Sequence, residues 1–145
     1  MIDPNRLPTV AAWIRSKGGA FGFTQYVDEE IGHEGFLACA SLLFPQFLIV
    51  RDCVLLPWQY NPATFEDWWT SLEGDRTRIE GVVNHVHMCD LFFFRAIDDE
   101  MALEVARALQ ASWLCAAKAQ MPDRDVVVEL DTSDDVVLYV YTRRA

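Results

Sequence analysis

The chain has 145 residues, 52% of them hydrophobic and 12% aromatic, enough for one domain with a sizeable core. Its formal net charge is −10, from 22 acidic against 12 basic residues. That balance argues against a nucleic-acid binder, which normally carries a basic face, and against attraction to an anionic membrane surface. The charge is uneven. Residues 25–50 hold Asp28, Glu29, Glu30 and Glu34 and no Lys or Arg, whereas residues 1–24 are net basic through Arg6, Arg15 and Lys17.

Residues 4–17, "PNRLPTVAAWIRSK", read as a helix with Leu7, Val10, Ala11 and Ile14 on one face, ended by Gly18-Gly19. "AFGFTQYV" alternates weakly and reads as a short strand or a loop. A helix is predicted from about Glu29 to Phe44. Its second half is apolar nearly all round and is expected to be buried; Pro45 ends it. Two β-rich runs, 47–50 and 53–56, flank Arg51-Asp52 as a hairpin, although that pair lacks the Gly or Asn usual in tight turns. Pro62 opens a helix to Leu72, closed by Glu73-Gly74. Asp75 caps a helix over "DRTRIEGVVNHVHM", and Asp98 or Asp99 caps the longest one, which runs to about Gln120 with Met101, Val105, Leu109, Trp113 and Ala116 on one stripe. "VVVEL" and "VVLYVYT", joined by "DTSDD", form the clearest β-hairpin signal. The expected fold is a single α+β domain over residues 1–145, with four to five helices on a small antiparallel sheet that includes this C-terminal hairpin.

The stretch "VVNHVHMCD" holds His85, His87, Cys89 and Asp90. Ile79, Val82, Val83 and Val86 follow helical spacing, which puts His85 and His87 roughly 200° apart at about 100° per residue, on opposite flanks of the apolar stripe. On that reading the two imidazoles cannot close on one metal ion. A strand beginning near His85 would instead align them as an HxH pair, so helix or strand over residues 84–94 decides whether a metal site built from His33, His85, His87, Cys89 and Asp90 exists. Cys89 as an activated thiolate needs a base within hydrogen-bond reach, which sequence proximity does not supply. Asp131, Ser133 and Asp135 alternate as in a calcium loop, but Val136 stands where the loop needs Gly and Thr142 where it needs Glu. "GGAFG" lacks the spacing and the Lys of a phosphate loop, and no GxSxG or HExxH motif occurs.

Four cysteines, at 39, 53, 89 and 115, form no CxxC pair. Cys39, Cys53 and Cys115 lie in apolar sequence and read as free thiols packed as small hydrophobes in a reducing cytoplasm. "MIDPNRLPTV" lacks the basic and apolar regions of a signal peptide, and no apolar run reaches membrane-spanning length. Five tryptophans, with Trp68-Trp69 adjacent in the acidic, aromatic "LLPWQYNPATFEDWW", match the make-up of a protein-binding hot spot.

Binding therefore stands ahead of catalysis. The expected partner is a basic protein, met by Asp28, Glu29, Glu30, Trp68, Trp69, Asp134 and Asp135. No cofactor, nucleic acid or membrane is expected, and the choice between monomer and homodimer stays open. In its sharpest form this is an immunity-type inhibitor covering the basic groove of a toxin or nuclease. The alternatives are a metal-binding protein or hydrolase using the His85/His87/Cys89 region, and a homo-oligomeric structural domain.

Overall fold

The computed structural model describes residues 2–145, and it is α+β. It separates into two compact units, one ending at Ser41 and the other spanning Leu42–Ala145.

The N-terminal unit is helical. A 3-10 turn, Pro4–Arg6, is capped by the Asp3 carboxylate, and α1 follows at Pro8–Ser16. The helix expected over 4–17 is thus split at Leu7. The residue before a proline is driven out of the helical region, and Leu7 sits at φ −57°, ψ 130°. Gly18 and Gly19, at φ 72° and 75°, end α1. Only residues 20–22 of "AFGFTQYV" are loop: α2 spans Phe23–Tyr26, started by Gln25 accepting from the Gly22 N–H and by Asn5 accepting from the Phe23 N–H at 2.9 Å. The Trp13 ring packs against Phe21 and edge-on to Tyr26, with the Lys17 ammonium 5.3 Å from its centroid. A π-helical turn at Val27–Ile31 leads to Gly32, whose φ 68°, ψ 178° belongs almost only to glycine, and α3 begins there and spans Gly32–Leu43. Val10 is the one buried residue of this unit among the described residues. The expected burial of α3 fails: none of its residues is buried, and Phe36 and Leu37 are 57% and 64% exposed.

In the second unit β1 (Leu48–Val50) and β2 (Cys53–Leu55) form the expected hairpin. Arg51 and Asp52 take the left-handed conformations a two-residue turn demands, at φ 48° and 68°. Without glycine, the turn is held from outside. Arg51 pairs with Glu66 at 2.9 Å, and Asp52 pairs with Arg124 at 2.6 Å. Next come α4 (Pro62–Ser71), capped by Asn61, and α5 (Arg76–Val83), capped by Asp75. Between them Gly74, at φ 73°, lies where an added Cβ would stand 3.3 Å from the Trp69 ring. A short strand β3 (Val86–His87) and a single turn α6 (Met88–Leu91) precede the long α7 (Asp99–Gln120), capped by Asp98. The C-terminal strands β4 (Val126–Asp131) and β5 (Val137–Thr142) form the predicted hairpin. The strands make two sheets rather than one: β1-β2, and an antiparallel sheet ordered β3-β5-β4.

The larger core cluster lies between α7 and the three-stranded sheet. Ala102, Ala106, Leu109 and Trp113 meet Val128, Leu138 and Val140, with Leu56, Val86 and Met88. Leu109, Trp113 and Ala116 of the expected stripe are buried, whereas in the first turns of α7 Ala102 and Ala106 are buried in place of the half-buried Met101 and Val105, and alanine there lets the helix approach the sheet. The smaller cluster is Cys53, Leu55, Phe65 and Ile79, with Trp68 and Trp69 packed on it.

Two buried polar side chains, Glu80 on α5 and Asn84 capping its C-terminus, join the sheets. Glu80, fully buried, accepts from the Val54 N–H of β2 at 2.7 Å, from the Thr142 N–H of β5, and from both terminal nitrogens of Arg144 at 3.0 and 2.8 Å. Asn84 accepts from the Leu56 N–H at 2.9 Å and donates to the carbonyls of Val54 and Val140. Both groups are buried and hydrogen-bonded, Asn84 to main chain alone and Glu80 to main chain, the Thr142 hydroxyl and Arg144, which fixes α5 against both sheets.

Candidate functional site

The helix predicted through residue 88 stops at Val83 because Asn84 is drawn into the interior by the three bonds just described. The chain then extends, and β3 pairs with β5 through Val86↔Leu138 and His87↔Val137. The opposite-flank geometry for His85 and His87 is therefore corrected. Their rings sit edge-to-face with centroids 5.4 Å apart. The Nδ1–H of His85 donates to the Val82 carbonyl, and its ring stacks 6.3 Å from Tyr139.

The β3–β5 register also brings in a residue far away in sequence. Asp135, two positions before Val137, lies beside His87 and Cys89. One oxygen of Asp135 accepts the Val136 N–H at 2.7 Å. The other, Oδ2, is 2.8 Å from His87 Nδ1 and 3.3 Å from Cys89 Sγ. The His87 ring, the Val136 N–H and the Cys89 thiol, in that order, hold the Asp135 carboxyl below its ordinary value. The same carboxylate raises the Cys89 thiol. This is the reverse of nucleophile activation. Asp135 sits between Cys89 and His87 and accepts from both, whereas a catalytic thiol needs the imidazole as its immediate partner and a carboxylate beyond it. Of the other candidates, Asp90 lines an open cleft with Trp58, Gln59, His85 and His87, its Oδ1 3.9 Å from Cys89 Sγ. His33 lies exposed in the N-terminal unit.

The partner-binding candidates divide. Trp69 is taken up within the fold, against Phe65 and under the guanidiniums of Arg51 and Arg76 at 4.9 and 5.8 Å from its centroid. Trp68 is half-buried and lines a narrow cleft with Phe65, Val82 and His85. Asp134 is exposed beside Asp135. Asp28, Glu29 and Glu30 are exposed on the π-helical turn, and Glu29 pairs with Lys17 at 2.7 Å. Among the described residues, Asp28, Glu30 and Glu34 make no ion pair.

Asp28 also borders a predominantly apolar groove with Thr24, Val27, Gly32, His33, Phe36 and Leu37. Residue type alone did not flag this groove. The apolar run of α3 was legible, but its exposure was not. Of the three cysteines read as buried hydrophobes only Cys53 is one, and burial pushes its thiol up to about 11; Cys39 and Cys115 are exposed. No described helix is long and apolar enough to cross a membrane. No family model matches the chain, and neither a curated protein nor a solved structure matches it.

Proposed function

We propose that the chain is a protein-binding module that presents the apolar groove of its N-terminal unit, which Asp28 lines and which the acidic segment holding Glu30 and Glu34 spans in sequence, to a basic protein partner. The observation that carries this reading is α3: an apolar helix with no buried residue, whose Phe36 and Leu37 stand more than half exposed. Contiguous exposed apolar surface with a polar rim marks interaction sites. Covering two such side chains contributes on the order of 1.5–3 kcal/mol each when burial is complete.

Charge selects the occupant. No Lys or Arg lies between residues 25 and 50, and among the described residues neither Asp28, which lines the groove, nor Glu30 and Glu34 of the same segment makes an ion pair. A second copy docked face to face would set like charges against one another, which penalises self-association through this face. A basic partner gains both apolar cover and charge complementarity. An inhibitor of the immunity type, lying where a nuclease toxin would hold nucleic acid phosphates, is the finer form of the same chemistry.

The test compares affinity capture from the source cells by the wild-type protein and by Phe36→Asp and Leu37→Asp. The reading predicts one stoichiometric partner of net positive charge, lost with both variants and kept with Phe94→Asp, a change at an exposed phenylalanine elsewhere in the chain. A partner retained by both groove variants overturns it. Concentration-dependent dimerisation abolished by those variants would make a second copy the occupant and overturn the basic-partner assignment.

A further inference from the structure

We propose that His87, Cys89 and Asp135 form a binding site for a zinc-class divalent metal ion, with a fourth position open to solvent.

The three ligand atoms come from two segments held in register by main-chain pairing. His87 ends β3, Cys89 is the second residue of α6, and Asp135 immediately precedes Val136 and the start of β5. The His87↔Val137 pair and the Met88 N–H···O bond to Val136 at 3.0 Å hold the segments on either side of the cluster. Donor placement therefore does not depend on long, free side chains. The ligand atoms all lie within 4.8 Å of one another. Around a tetrahedral ion at about 2.0–2.3 Å, donor atoms stand roughly 3.3–3.6 Å apart. The Cys89–Asp135 separation of 3.3 Å already matches, and the His87–Asp135 separation of 2.8 Å has to open by about half an ångström.

The outer contacts suit the role. The Val136 N–H holds one carboxylate oxygen of Asp135 and aims the other at the centre of the cluster. The side chains of His87 and Asp135 are 34% and 44% exposed, so an ion can enter and keep a water. A thiolate, an imidazole and one carboxylate make a donor set of zinc type. Hard ions such as magnesium and calcium prefer oxygen alone. The site is independent of the α3 groove.

The test titrates metal-free protein with Co²⁺ as a spectroscopic stand-in, then displaces it with Zn²⁺. The wild-type protein is expected to bind one ion, giving a thiolate-to-cobalt charge-transfer band and the intense visible absorption of a tetrahedral site. Cys89→Ala should lose the charge-transfer band. His87→Ala and Asp135→Asn should weaken binding by at least about tenfold, since even outer-shell changes cost that much. Cys115→Ala, at an exposed thiol outside the cluster, should behave as wild type. Circular dichroism confirms that each variant is folded, and Asp135→Asn conserves shape if another variant is not. No charge-transfer band with the folded wild-type protein at millimolar Co²⁺ overturns the site. So does a band that survives in Cys89→Ala.

Discussion

Replacing Glu80 by Ala removes the group that ties α5 to both sheets. The carboxylate is fully buried and accepts from two backbone N–H groups and from Arg144, whose side chain is 25% exposed. Its loss strands the buried amides of Val54 and Thr142 and leaves a mostly buried guanidinium without its counter-charge. Each stranded donor costs about 1–3 kcal/mol, and breaking a buried ion pair from one side costs about 3–5 kcal/mol. These costs overlap, so the expected loss is about 4 kcal/mol, a large part of the roughly 5–15 kcal/mol that holds a domain together. With a urea slope of about 2 kcal/mol per molar, the unfolding midpoint falls by roughly 2 M. Glu80→Gln keeps one acceptor but turns an NH₂ toward a donor, and is expected to lose about half as much. Joining Glu80→Met to Arg144→Met removes both charges yet still strands the two amides, so it recovers only part of the loss. Equilibrium urea unfolding of the four proteins reads all of this. A Glu80→Ala loss below about 1 kcal/mol would refute the reasoning, because it would mean that the two amides find water or that the carboxylate is not buried.

Three further outcomes follow from the same geometry. In metal-free native protein an aromatic disulfide reagent at pH 8 should modify Cys39, Cys89 and Cys115 and reach Cys53 only on unfolding; equal native reactivity at Cys53 would contradict its burial. Asp52, whose main partner is Arg124, and Asp131 and Asp135 are all held below their ordinary carboxyl values. Their contribution is therefore present above the unfolded value of about 3.9 and is lost as pH falls through the folded values. Stability measured from pH 5 downward should drop less steeply in Arg124→Ala than in wild type, and identical profiles would deny Asp52 its part. Finally, Phe36→Asp and Leu37→Asp should change unfolding stability by no more than about 0.5 kcal/mol, as befits exposed sites; a loss of 2 kcal/mol or more would show α3 to be core.

Local rules made most elements legible. Asp75 and Asp98 start helices at the positions their capping chemistry requires, Pro62 opens α4, and the β-branched C-terminus pairs as its alternation suggests. What the sequence concealed was decided at long range. The Ile79–Val86 spacing is helical, yet the helix ends at Val83 because Asn84 bonds to Val54, Leu56 and Val140, residues that periodicity cannot bring together. Asp135 reads as part of the loop joining the two C-terminal strands and as a partner contact, and only the β3–β5 register reveals its place beside His87 and Cys89. Apolar content likewise does not tell burial from display. Buried Trp113 and exposed Leu37 are both apolar residues on helices, and what separates them is whether a second layer lies over each.

The central claim is electrostatic and apolar capture through the α3 groove, and association kinetics test it most directly. With the captured partner in hand, its association rate is measured by stopped flow at rising ionic strength for wild type and for Asp28→Lys/Glu30→Lys. The account predicts a wild-type rate that falls with salt, a slower rate for the charge-reversed protein at low salt, and a flatter salt dependence for it. Equal association rates for the two proteins at low salt would contradict the account.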